Sequence, residues 1–153
     1  MSKFGPKLAG AGGFINISQN ARKVVFVGTF TAGKLQIALE AGCLRILADG
    51  KARKFVQEVE QRSFSGRVAA RSGKTVLYIT ERCVFRLCKE GLELIEVAPG
   101  VDIEHDILAR MEFAPILRRE PTLMDARIFA PGPLGLRSQI LEMPIEDRLS
   151  YDS

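Results

Sequence analysis

The chain has 153 residues, 46% of them apolar and 26% charged, which suits one domain with its own core and excludes a disordered chain. The 22 basic residues exceed the 18 acidic ones by four, a surplus too small and too scattered to argue for nucleic acid. No stretch reaches the ~20 apolar residues that span a bilayer, and the opening residues lack the apolar run of a secretory signal. A cytoplasmic protein with no membrane or nucleic-acid partner is expected.

Residues 8–18 are rich in glycine and alanine, and the pattern predicts a glycine-rich turn opening into a short helix near residues 14–20. Residues 23–30 (KVVFVGTF) are almost all apolar, β-branched or aromatic, the pattern of a strand buried on both faces in the middle of an α/β sheet. Residues 31–34 form a loop at its carboxyl end. Leu35, Ile37 and Leu39 alternate with polar residues, a half-buried strand that Ala41-Gly42 turns back into residues 44–47 as a hairpin. Phe55, Val56 and Val59 fit helix or strand equally. Residues 66–73 have room for one helical turn.

Three strands follow closely, at residues 76–79, 84–87 and 92–97, the last two joined by the turn signal Lys89-Glu90-Gly91. Asp102 is placed to cap a helix carrying Ile103, Ile107, Leu108 and Met111 at helical spacing. Five of the seven prolines lie beyond Phe113. The division expected is therefore a domain at residues 1–113 and a proline-rich docking or partly disordered tail at 114–153, with residues 124–129 its best-ordered piece.

Cysteine and histidine exclude several chemistries. Cys43, Cys83 and Cys88 show no C-x-x-C spacing, so neither a zinc site nor a disulfide framework is expected. His105 is the single histidine and stands between two acidic residues, where a solvent-facing helix position is the plain reading.

Three stretches have the makings of a site. Gly10, Ala11, Gly12 and Gly13 permit unusual backbone angles and close ligand approach, and backbone N–H groups at such a turn can bind phosphate or an oxyanion. A tight structural turn explains the same residues. Only a short stretch ending in Lys7-Leu8-Ala9 stands before them where a dinucleotide site would want a strand, Ile15 breaks the G-x-G-x-x-G pattern, and no G-K-[ST] follows, so neither a dinucleotide site nor a P-loop is expected. Thr31, Ala32, Gly33 and Lys34 lie at the carboxyl end of the apolar strand, where open α/β sheets bind ligands; an ordinary strand exit is the alternative. The third stretch is Thr80-Glu81-Arg82-Cys83-Val84-Phe85, where a carboxylate beside an arginine reads first as a paired surface turn.

Taken together, the glycine run 10–16, the buried strand, Thr80-Glu81-Arg82-Cys83-Val84-Phe85, Gly91-Leu92-Glu93-Leu94-Ile95-Glu96, Pro99-Gly100-Val101-Asp102 and Met124-Asp125-Ala126-Arg127 resemble the carboxyl-terminal part of family I CoA-transferases. The likeness is greatest to the acetate or propionate (acetoacetyl-CoA) type. It implies a single α/β domain with a mixed sheet and hairpins, the NagB/RpiA-like CoA-transferase fold. It also implies transfer of CoA between a short-chain acyl-CoA and a carboxylic acid through a glutamyl-CoA intermediate, as in ketone-body and short-chain fatty-acid metabolism. Gly10 to Gly13 would then supply the oxyanion donors and line the CoA cleft, with Thr31 to Lys34 farther along that cleft. CoA is a substrate in this reading, and no cofactor or metal is bound.

The chain departs from the family in one respect: residues 1–39 contain no glutamate. The nucleophilic glutamate is expected upstream of Met1, in an amino-terminal part that would be this chain's partner, so the isolated chain is expected to be inactive. A homo-oligomer is expected as well. The alternative from another class is a non-catalytic module that binds acyl-CoA or a phosphorylated metabolite.

Overall fold

The structure is a computed structural model and describes residues 12–58 and 64–149. It opens with helix α1 (Gly12–Asn20), which turns at Ala21-Arg22 into strand β1 (Lys23–Val27). Phe14 of the helix reaches Phe26 of the strand, with ring centroids 5.9 Å apart, so α1 runs back along β1. Its first turn therefore lies toward the carboxyl end of that strand.

The main sheet has five strands in the order β1-β6-β7-β8-β9, where β6 is Thr75–Ile79, β7 Cys83–Leu87, β8 Leu92–Val97 and β9 Thr122–Leu123. β1 pairs with β6 in parallel, β6 with β7 and β7 with β8 antiparallel, and β8 with β9 in parallel. The strand buried on both faces is β7, not β1. Cys83, Phe85 and Leu94 enter one cluster with Phe30, Val97, Ile107 and Met111, while Val84 enters the other with Leu44, Ala98, Met124 and Phe129. β1 is an edge strand, with Val25 44% and Val27 78% exposed. Its composition calls for burial, but among the described residues β6 is its sole strand neighbour.

The crossover from β1 to β6 carries the expected hairpin and two smaller pieces. Strand β2 (Thr31–Ala32) pairs with β5 (Ala52–Arg53), so half of the stretch predicted as loop is ladder. β3 (Gln36–Glu40) and β4 (Cys43–Ala48) form the hairpin. Ala41 and Gly42 both take positive φ, 52° and 77°, as a two-residue turn matching the strands' twist demands. The apolar side of β3 is not half-buried as its alternation predicts: Ile37 and Leu39 are 42% and 51% exposed. The hairpin forms a two-stranded sheet of its own, and its core anchor is Leu44 on the other strand. No regular element follows at residues 54–58, and Val59 lies outside the described residues. Phe55 packs between Phe30 and Phe85, at 4.8 and 5.1 Å. Helix α2 (Gly66–Arg71) is the short helical turn expected there, capped by Ser65.

After β8 the chain turns at Pro99-Gly100. Asp102 caps the next segment, accepting from His105 N–H at 2.9 Å, but the segment is a π-helical turn (Ile103–Ile107) followed by a 3-10 turn (Leu108–Arg110), not one α-helix. The wider turn still buries Ile107 and leaves His105 exposed. Residues 114–149 add β9, a 3-10 turn (Ala126–Phe129), α3 (Leu136–Glu142) and α4 (Ile145–Leu149). Among the described residues no helix is long and apolar enough to cross a membrane.

Gly100 joins hairpin and sheet. Leu44 N–H donates to Pro99 O at 2.7 Å, and a Cβ on Gly100, whose φ is +88°, would stand 2.8 Å from Leu44 O. Gly100→Ala is expected to cost about 2 kcal/mol or more in urea denaturation, combining left-handed strain with a backbone clash. Gly73→Ala, at φ +71° with open space around it, should cost only the strain, about 1 kcal/mol. Equal costs would mean that the close approach at Gly100 does not hold the hairpin.

Candidate active site

The parallel pair β1 and β6 ends at Val27 and Ile79, and two of the three predicted stretches leave from that end. Arg82 lies at the centre. Its side chain is 0% exposed, so the segment 80–85 is no surface turn. Nε donates to Glu81 Oε1 at 3.0 Å and one terminal nitrogen to Asp106 O at 2.8 Å. The other donates to Asp49 Oδ1 and, at 3.5 Å, to Thr31 Oγ1. The guanidinium carbon sits 5.0 Å from the Phe30 ring centroid. Every side of a charge that could not be buried bare is thus engaged.

The two carboxylates reach further. Glu81 Oε2 accepts from Phe30 N–H at 2.8 Å, fixing the exit of β1, and Asp49 Oδ2 pairs with Arg110 Nε at 2.9 Å. Two arginines and two carboxylates balance. Thr31 Oγ1 accepts from Gly50 N–H at 2.9 Å, so the β1 exit, the β4 exit, the β6–β7 turn and the 3-10 turn meet on one cluster. Thr80 closes the turn by donating to Cys83 O at 3.0 Å and accepting from Cys83 N–H at 3.1 Å. Burial pushes the Cys83 thiol up to about 12, against its ordinary 9.0, so it is no nucleophile at neutral pH.

Asp49 and Arg110 were not among the residues singled out by sequence. Asp49 carries only a turn signal with Gly50, and Arg110 only the dipole preference of a helix end; neither reveals a partner far along the chain.

Among the predicted site residues, Thr31 is buried and its hydroxyl is occupied by the cluster, while Ala32 is half-buried in β2. Gly33 and Lys34 form an exposed turn, both at positive φ. Lys54 Nζ donates to Thr29 O and to Thr29 Oγ1, each at 2.8 Å, placing a second cation beside this exit. Gly12 and Gly13 are the first residues of α1, and apart from its chain neighbours and its own helix backbone no described atom lies within 4 Å of where a Gly13 Cβ would be. Gly10 and Ala11 lie outside the described residues. The helix packing on Phe26 puts the first turn of α1 and residues 28–34 toward one end of β1.

No protein-family model matches the chain. Curated proteins do. Over 133 residues, 87% of this chain, it is 47% identical to the acetate CoA-transferase YdiF of Escherichia coli strain K12. Over 132 residues, 86% of this chain, it is 45% identical to the caffeate CoA-transferase of Acetobacterium woodii. It spans 25% of the length of each. A crystal structure of the E. coli O157:H7 acyl-CoA transferase YdiF, in a thioester complex with CoA, matches with a TM-score of 0.83 at 46% identity, over 88% of this chain and 26% of that one. This chain is homologous to the carboxyl-terminal part of a CoA-transferase. The YdiF apoenzyme matches with the same TM-score, and the mixed α/β fold is that of the relative.

Among the described residues no group of three or more His, Cys, Asp or Glu side chains is arranged to hold a metal ion. The Arg82 cluster is a charge-balanced clamp beside the strand exits. Arg82→Met, which leaves Glu81 and Asp49 without their buried cation, is expected to destabilise the fold by about 3–5 kcal/mol. Arg118→Met breaks only an exposed pair with Glu90 at 2.7 Å and should cost less than about 1 kcal/mol. Comparable losses in chemical denaturation would contradict the clamp.

Proposed function

We propose that this chain forms the carboxyl-terminal part of a CoA-transferase that moves CoA between a short-chain acyl-CoA and a carboxylic acid. The observation that carries the reading is 47% identity to an acetate CoA-transferase across 87% of the chain. In the proposed reaction a glutamate carboxylate attacks the acyl-CoA carbonyl and expels the CoA thiolate, leaving an acyl-glutamyl anhydride. The thiolate attacks the glutamyl carbonyl and releases the acyl group as a carboxylate, leaving a glutamyl-CoA thioester. A second carboxylate takes the CoA by the reverse steps.

The groups assigned to this chain are the backbone N–H donors of Gly10 to Gly13 for the tetrahedral oxyanion, and the surface of Thr31 to Lys34 along the CoA cleft. The open space at Gly13 and the start of a helix there support the first assignment, since the donors would point at developing charge. Of the second group, Gly33 and Lys34 are the ones with exposed surface to offer; Thr31 acts through the loop's shape.

The nucleophilic glutamate is proposed to come from outside this chain. Several of the chain's own glutamates have other duties. Glu40 pairs with Arg45 at 2.9 Å on the exposed hairpin. Glu81 has both oxygens occupied. Glu93 is buried, and its carboxyl is held low by Arg86, with Cys88 adding a second hydrogen bond. Glu112 accepts from Gln57 N–H at 3.2 Å.

Incubated with propionyl-CoA and acetate, the chain alone should exchange no CoA, and exchange should appear once the amino-terminal part of a homologous transferase is supplied. In that assembled enzyme Gly13→Val should cut turnover about 100-fold, as loss of an oxyanion donor does, with the melting temperature unchanged. A glutamyl-CoA thioester trapped by borohydride on the chain alone would overturn the placement of the nucleophile. Loss of folding in Gly13→Val would mark a structural turn instead.

A further inference from the structure

We infer that the ribbon of β2 and β5 seats the phosphate groups of CoA, with Lys51 and Lys54 joining Lys34 as its cations; this rests on the CoA-transfer reading above and names the part of the substrate that the ribbon holds.

The ribbon collects positive charge that the sequence scatters. Thr31 pairs with Arg53 and Ala32 with Ala52, and one step toward the tip Lys51 N–H donates to Gly33 O at 3.0 Å. Lys34 and Lys51 therefore stand at the exposed end of the ribbon, while Lys54 brings the chain back to the exit of β1. Residues 28–39 and 50–57, which supply both strands and their flanks, contain Lys34, Lys51, Arg53 and Lys54 but no aspartate or glutamate. Asp49, at the base of the ribbon, is taken by Arg82 and Arg110. Among the described residues none of the three lysines forms an ion pair. A solvated face would scatter such cations among carboxylates; here they run together from the tip of the ribbon to its base.

One of them is already fixed in place. Lys54 Nζ donates to Thr29 O and to Thr29 Oγ1, each at 2.8 Å, and Thr29 Oγ1 donates in turn to Thr31 O at 2.7 Å. Both acceptors of Lys54 are neutral, so its charge is held but not compensated, and one ammonium proton remains to be given. A side chain ordered before binding loses less freedom when the ligand arrives. Lys34 takes φ 66°, a left-handed conformation uncommon outside glycine, and the Lys51 side chain is exposed.

The chemistry of CoA matches this layout. Its thioester and pantetheine arm are uncharged, and its diphosphate and ribose phosphate carry all of its negative charge. Lysine serves phosphate as a point charge, and uncompensated cations in a row draw a polyanion toward them. The ribbon leaves the end of β1 toward which the first turn of α1 is directed. A ligand held there by its phosphates has its uncharged arm free to extend toward the donors assigned to Gly10 to Gly13.

The test uses the enzyme assembled from this chain and the amino-terminal part of a homologous transferase. It compares KM for propionyl-CoA with KM for propionyl-pantetheine, which has the same thioester and no nucleotide phosphate. Lys51→Gln combined with Lys54→Gln should raise the first relative to the second about tenfold. Added salt should raise the same ratio in the unsubstituted enzyme and have less effect in the double variant. Lys89→Gln, an exposed lysine in the turn between β7 and β8, should leave the ratio as it is. If the double variant fails to fold, Lys51→Gln alone takes its place, with a rise of about threefold. Continued transfer with an unchanged ratio would overturn the phosphate site and leave the CoA-transfer reading standing. An equal rise in Lys89→Gln would also overturn the site, because general surface charge would then explain it. No transfer by the assembled enzyme would overturn both.

Discussion

A guanidinium with no solvent exposure imposes a strict condition: every donor must find an acceptor, and its charge must be matched nearby. Arg82 meets that condition with groups drawn from four segments of the chain. Thr31 and Asp49 lie 51 and 33 residues away from it, and Asp106 lies 24 away. Satisfying one side chain therefore fixes where β1 leaves the sheet, where the hairpin returns and where the chain turns after β8. Around it the aromatic cluster of Phe30, Phe55 and Phe85 supplies the apolar wall, so the charge sits in a setting where a lost partner is costly.

That arrangement gives the carboxyl end of the β1–β6 pair its shape. The parallel pair aims its exits in one direction, α1 doubles back so that its first turn approaches the same end, and the Arg82 cluster holds the exit loops rigid. The cluster is fully engaged, so the proposed function assigns the ligand to the exposed turn at Gly33 and Lys34 and to the first turn of α1 rather than to Arg82. This division of labour, a buried polar clamp beneath and backbone groups above, is what the proposed CoA-transfer role requires, since oxyanion donors are effective only when preorganised.

Much of the fold is legible from local pattern. Apolar runs marked β6, β7 and β8, the Ala41-Gly42 pair marked the hairpin turn, and Asp102 marked a cap. What sequence pattern does not carry is the neighbour. The run at residues 23–30 is as apolar as an interior strand, yet among the described residues β1 stands at an edge, because composition records the burial a strand is suited to and not the strands present to provide it. The same limit hides Arg82. An arginine after a glutamate reads as a surface pair, and burial becomes evident only when Asp49 and the Asp106 carbonyl arrive from distant segments. The region after Asp102 shows a third limit: apolar residues at helical spacing do not distinguish an α-helix from a π turn followed by a 3-10 turn, since each buries Ile107.

The clamp is tested most directly by amide hydrogen exchange in Arg82→Lys, which keeps the charge but cannot serve Glu81, Asp49, Thr31 and the Asp106 carbonyl together. The N–H groups of Phe30 and Gly50 are bonded to Glu81 and Thr31, both of which Arg82 holds. Those two amides should lose protection by about tenfold or more, while residues 84–87 in the middle of the sheet keep theirs. Unchanged exchange at Phe30 and Gly50, or an equal loss across β7, would contradict the account that this one buried side chain sets the geometry of the strand exits.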